Sequence, residues 1–134
     1  PEMNRHPEAQ VKLLEILTMA VNRGLKIIIT THSPYITDQL TNLMECYIVK
    51  DKIKDKNLKK YIFTGQKEAI ISSEKVGVYF FGEDGIIKDI LNREDTLIDW
   101  ETFSKVSERL GVIYDDLLDL EFEDKERGEE YADE

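Results

Sequence analysis

The stretch Ile27-Ile28-Ile29-Thr30-Thr31-His32-Ser33-Pro34-Tyr35 constrains this chain more than any other. Three consecutive β-branched apolar residues run into a polar tip and then a proline, which reads as a strand buried on both faces, the kind a parallel sheet contains. Ligands of such sheets collect beyond the carboxyl ends of the strands, so His32 stands where a ligand would be read. Ser33 and Pro34 form a helix start, a hydroxyl for the N-cap followed by proline in the first turn, and they set His32 in a tight strand-to-helix corner.

The sequence on either side of this stretch is helical. Over 7–23, Leu13, Leu14, Leu17, Ala20 and Val21 fall on one helical stripe; Pro7 suits the first helical position, Glu8 complements the dipole, and Gly24 stands where a glycine would end the helix. A second helix is expected over 34–43, with Ile36, Leu40 and Leu43 inward. Together these predict a helix–strand–helix segment of an α/β layer over residues 1–45. Beyond it the pattern changes to period-two and hairpin signals over 46–92. A strand over 45–49 should pair with 59–64 across the lysine-rich connection. Another pair, 76–81 and 86–90, flanks Gly82-Glu83-Asp84-Gly85, and Asp-Gly at such a spot is a strong hairpin signal. Helices follow over 98–120: one across 100–110, with Phe103, Val106, Ser107 and Leu110 on one side and Gly111 as its stop, then a shorter one over 114–120.

The net charge of −10 is local: residues 115–134 hold 11 acids against Lys125 and Arg127, a net of −9, leaving 17 acids and 16 bases for the rest. The body is therefore nearly neutral, and its charge says little about partners, whereas 121–134 reads as an acidic, disordered tail. The one cysteine, Cys46, has no internal partner for a disulfide and lies in an apolar run, as a small core residue would. No stretch has the apolar length of a membrane span and no signal peptide is visible, so a cytoplasmic protein is the default. The first residue is Pro1 rather than methionine, and the start reads as cut.

The opening residues Pro1-Glu2-Met3-Asn4-Arg5-His6-Pro7-Glu8-Ala9-Gln10, followed one helix later by 27–34, resemble the end of the nucleotide-binding domain of ABC-type ATPases of the chromosome-maintenance and DNA-repair kind. The likeness is greatest to the prokaryotic AAA family ATPases related to the overcoming-lysogenization-defect nucleases. It is close over residues 1–45 and looser over 80–120. In that family an acidic Walker B strand runs into a Pro-Glu step, a D-loop, a helix and a strand ending in the switch histidine. The resemblance implies an α/β fold, the C-terminal portion of a P-loop NTPase domain with added antiparallel hairpins and C-terminal helices. It implies that His32 is the switch histidine that contacts the γ-phosphate, with Thr31 and Ser33 supporting it. Asn4, Arg5 and His6 fall on the D-loop, Arg5 where a leucine is usual and His6 where transporters carry aspartate. His6 also suits a plain helix cap. Glu2 sits near the catalytic region, but the family's catalytic glutamate lies immediately before the position of Pro1.

No G-x-x-x-x-G-K-[ST] occurs in this sequence, so the β- and γ-phosphates lack the loop amides and lysine that cradle them. This chain alone is expected not to hydrolyse ATP, and ATP with Mg2+ is implied only for a complete site. The Walker motifs would come from a missing N-terminal lobe or from a second ATPase subunit, with a homodimer left open. The resemblance implies DNA repair or phage defence as the process driven, with another task left open. Two other readings stand beside this one. One is a non-enzymatic interaction module that keeps the fold. The other is nucleic-acid binding through Lys50, Lys52, Lys54, Lys56, Lys59 and Lys60, weakened by the interspersed Asp51 and Asp55. Glu74, Glu83 and Asp84 suggest a metal site, but a hairpin turn explains the last two better. No metal ligands are assigned.

Overall fold

The computed structural model describes residues 6–99 and 101–132, with side-chain surroundings for 6–99, 108–123 and 125–128. The chain forms two compact units, the first ending at Ile98 and the second starting at Asp99. In the first, two helices, α1 (Pro7–Asn22) and α2 (Pro34–Ile48), pack together. A one-turn helix, α3 (Leu58–Tyr61), and an irregular stretch follow. Two small antiparallel hairpins then pair β1 (Tyr79–Phe81) with β2 (Ile87–Asp89), and β3 (Leu91–Asn92) with β4 (Leu97–Ile98). The second unit holds one long helix, α4 (Glu101–Ala132).

The ends of α1 follow from local chemistry. His6 caps it, its Nδ1 accepting from the Glu8 amide at 3.3 Å, and Pro7 occupies the first turn. At the other end Gly24 takes φ +102°; its N–H donates to the Val21 carbonyl at 2.9 Å while the Leu25 N–H reaches the Ala20 carbonyl at 3.1 Å. That pair of bonds is the Schellman closure, and it needs a residue that tolerates positive φ.

The buried stripe of α1 is not the one its leucines predict. Gln10, Val11, Leu14, Glu15 and Thr18 are buried, whereas Leu13, Leu17, Ala20 and Val21 are half-buried and Ile16 is exposed. Three of the five buried residues are polar, and two of them, Glu15 and Thr18, anchor irregular backbone. Glu15 is 0% exposed and accepts three hydrogen bonds: from the Phe63 N–H at 2.9 Å, the Thr64 N–H at 2.7 Å, and Gln39 Nε2 of α2 at 2.9 Å. Gln39 Nε2 also reaches the Tyr61 carbonyl at 3.1 Å. Lower on the helix, Thr18 Oγ1 donates to the Ala69 carbonyl at 2.8 Å, and Asn22 Nδ2 to the carbonyls of Glu68 and Ile70 at 2.8 and 2.7 Å. Buried backbone groups need partners, and a segment outside any sheet must find them on side chains. Ile62, Ala69, Ile70 and Ile71 are thereby held in the core.

Several expected strands are absent among the described residues. The segment 45–49, expected as a strand, is the last turns of α2. Ile36, Leu43 and Met44 continue the helical period, and no glycine or proline interrupts it after Pro34. Without that strand, 59–64 has nothing to pair with and forms α3 and a turn at Gly65, φ +68°. The lysine-rich connection is two short 3-10 turns, Lys50–Lys52 and Asp55–Asn57. The run 26–31 has no regular secondary structure and pairs with no strand among the described residues.

The hairpin at 82–85 forms, with Phe80 opposite Lys88, the Gly82 N–H donating to the Ile86 carbonyl at 3.1 Å, and Gly85 at φ +75°. Asp84 serves the turn, its Oδ1 accepting from the Ile86 N–H at 3.0 Å. The second hairpin is tied to α2 by Thr96, whose Oγ1 donates to Glu45 Oε2 at 2.9 Å. Gly111 does not stop a helix: α4 runs through it, because one glycine costs a helix only about 1 kcal/mol relative to alanine. The acidic stretch expected to be disordered continues α4 as far as Ala132, with a Lys125–Glu121 ion pair at 2.9 Å one turn apart.

Replacing Glu15 with alanine takes the acceptor from the part-buried Phe63 and Thr64 amides, each costing about 1–3 kcal/mol, and leaves Gln39 Nε2 with the Tyr61 carbonyl alone. Urea unfolding is expected to show a loss of at least about 2 kcal/mol. A loss below about 1 kcal/mol would show that the carboxylate does not organise this unit.

Candidate functional site

The corner that follows the run 26–31 is fixed on both sides of its histidine. The Ser33 N–H donates to Thr31 Oγ1 at 2.9 Å, a local turn that closes around residue 32. Pro34 then starts α2, and Thr37 Oγ1 bonds back to the Pro34 carbonyl at 3.0 Å. Ser33 does not cap α2 with its side chain as expected. Its hydroxyl donates instead to Gln10 Oε1, in the first turn of α1. Thr31 and Ser33 are half-buried, and His32 between them is exposed. Among the described residues, no group hydrogen-bonds the His32 ring. Its backbone is held while its imidazole stays available, next to the N-terminal end of α2, where the helix dipole favours negative charge.

The Gln10–Ser33 bond has a second consequence. Gln10 lies one turn after the His6 cap, so the two sequence motifs separated by a helix meet in space at this corner. His6 itself is exposed and serves as the cap of α1. Glu2, Asn4 and Arg5 lie outside the described residues. Gln10, Glu15 and Gln39 carry the local geometry. Gln10 and Gln39 are polar residues in register with the apolar stripes of their helices, which is a signal the sequence offers, whereas no pattern marks Glu15.

The run that leads to His32 is exposed. Ile28 is 95% exposed and Ile29 40%, and among the described residues no strand pairs with 26–31. The lysines of 50–60 are exposed as well, with Lys50 Nζ 4.2 Å from the Tyr47 ring centre and Lys60 Nζ 5.7 Å from that of Tyr61. Among the described residues, no cluster of three or more His, Cys, Asp or Glu side chains is arranged to hold a metal ion, and no helix is long and apolar enough to cross a membrane. Comparison with protein-family models, with curated proteins and with solved structures finds no match.

Cys46 is buried. Burial, first, and then the Glu45 and Glu15 carboxylates push its thiol above the ordinary value of 9.0. The thiolate is the reactive form, so this residue packs and does not attack. Alkylation by iodoacetamide at pH 8 is expected to be at least about tenfold slower in the folded chain than in urea. Because the folded state favours the neutral thiol, its contribution to stability is intact below pH 9.0 and is lost as pH rises above it, where the unfolded chain ionises first. Equal alkylation rates in the two states would place Cys46 outside the core.

Proposed function

We propose that this chain is the C-terminal lobe of a cytoplasmic ABC-type ATPase domain. It contributes the D-loop residues Asn4, Arg5 and His6 and the switch histidine His32 to a composite nucleotide site. The Walker A and Walker B segments come from an N-terminal lobe or a second ATPase subunit, and the completed enzyme serves DNA repair or phage defence. The observation that most supports this reading is the Gln10–Ser33 bond, which ties the first turn of α1, four residues after His6, to the corner resembling a switch-histidine loop. The exposed isoleucines of 26–31 support it: they have the composition of a central strand without the neighbours that would cover it. So does α1, whose second face, with Leu13, Ile16, Leu17 and Ala20, is only partly covered.

The chain does not hold a nucleotide site by itself. His32 offers one donor, and the sequence has no loop to cradle the phosphates. In the completed site the imidazole would donate to a terminal phosphate oxygen as charge develops there, a positioning and electrostatic role that needs a fixed backbone and a free ring.

A second reading, a non-enzymatic interaction module, draws on the same run, which can add to the edge of a partner's sheet. Two variants separate the two. With the N-terminal lobe supplied, His32→Ala is expected to lower kcat by about 100-fold or more while leaving lobe binding unchanged. Ile28→Asp is expected to abolish lobe binding, measured by calorimetry, while leaving the circular dichroism of the chain unchanged. The chain alone should release no phosphate from ATP. Turnover indifferent to His32→Ala would end the catalytic reading, and lobe binding with no turnover would favour the module.

A further inference from the structure

The second unit carries a seam that neither reading uses. Along α4, Phe103, Val106, Leu110, Ile113, Leu117 and Leu120 recur at spacings of three and four, the a and d positions of a heptad. The seam ends in charge, since Asp124 and Arg127 take the next a and d positions. Of the six, Leu110, Ile113, Leu117 and Leu120 have described surroundings, and they are 46–60% exposed. Val112, Tyr114 and Phe122 lie off this line and are exposed as well; the a/d line is the one that repeats with period 3.5, and that repeat suits one other helix lying along it.

Charge selects the orientation of that helix. In a parallel, in-register pair each g position meets the e position five residues on, which sets Asp116 beside Glu121 of a second copy, twice. It also lays two ends of net −9 side by side. In an antiparallel pair a meets d: Leu110 packs on Ile113, Val106 on Leu117 and Phe103 on Leu120, so all six residues find partners in one register. There the g positions face each other, and Arg109 lies beside Asp116 of the second copy, twice by the two-fold axis. The acidic ends point apart. The alternating seam, the Arg109–Asp116 match and the separation of the acidic ends agree on one occupant.

We infer that α4 is an antiparallel dimerisation helix whose partner is α4 of a second copy of this chain. At 1.5 Å per residue the seam is about 27 Å long. Six layers of that length make a dissociable dimer, not a permanent one.

Sedimentation equilibrium of the full chain tests this. The mass is expected to rise from 15.6 kDa toward twice that value as concentration increases. Leu117→Lys should raise the dissociation constant at least about tenfold. Ile28→Lys should leave it unchanged, which separates this helix from the run 26–31 in the other unit. The surface variants fix the orientation without disturbing the seam. Asp116→Arg places two arginines together in the antiparallel pair and should weaken it, whereas in a parallel pair it would meet Glu121 and strengthen it. Arg109→Asp combined with Asp116→Arg should restore wild-type association to within about threefold. A chain that stays monomeric at every concentration overturns the inference, as does a dimer lost by Ile28→Lys and kept by Leu117→Lys. A dimer tightened by Asp116→Arg overturns the antiparallel arrangement.

Discussion

The first unit depends on a carboxylate that has no cation. Glu15 is fully buried, and its two oxygens take their hydrogen bonds from two consecutive backbone amides and one side-chain amide. Burying a charge is costly unless it is compensated, and fixed N–H dipoles can supply the compensation. The arrangement does what a sheet would otherwise do, because it gives irregular backbone a place to end its hydrogen bonds. Gln39 extends the network into α2, and Thr18 and Asn22 continue it along α1. A polar edge on a helix thus substitutes for strand pairing over much of 61–70.

This explains which parts of the fold the sequence made legible. The helix ends were readable, since Pro7, Gly24 and Pro34 act locally and need no partner elsewhere. The hairpin at 82–85 was readable for the same reason. What failed were the strands, because a strand depends on a neighbour that single-segment patterns do not supply. The runs 26–31 and 45–49 have strand composition, yet one takes no regular structure and the other follows the helical period of α2. The leucines of α1 do not mark its core, because Glu15 and Thr18 face inward to satisfy backbone and Gln10 to meet the Ser33 hydroxyl. Gly111 reads as a stop and 121–134 as a disordered tail, though a helix of this length absorbs a single glycine, and pairs such as Glu121 and Lys125 offset part of the repulsion.

The candidate site divides similarly. His32 was legible from its position between an apolar run and a helix start. The contact that gives it context was not, because Gln10 and Ser33 lie 23 residues apart and neither has a pattern of its own. The proposed ATPase role and the proposed helix pairing rest on different units and different residues, so each stands without the other.

The exposed run 26–31 also bears on how the chain behaves before it meets anything. Ile27-Ile28-Ile29-Thr30-Thr31 is uncharged, β-branched throughout and free of proline, the composition from which cross-β assemblies grow. Lys26 on one side and Pro34 on the other are the residues that interrupt such growth. Leaving this segment exposed and outside any sheet therefore carries a colloidal hazard, restrained by a single flanking charge and a single flanking proline.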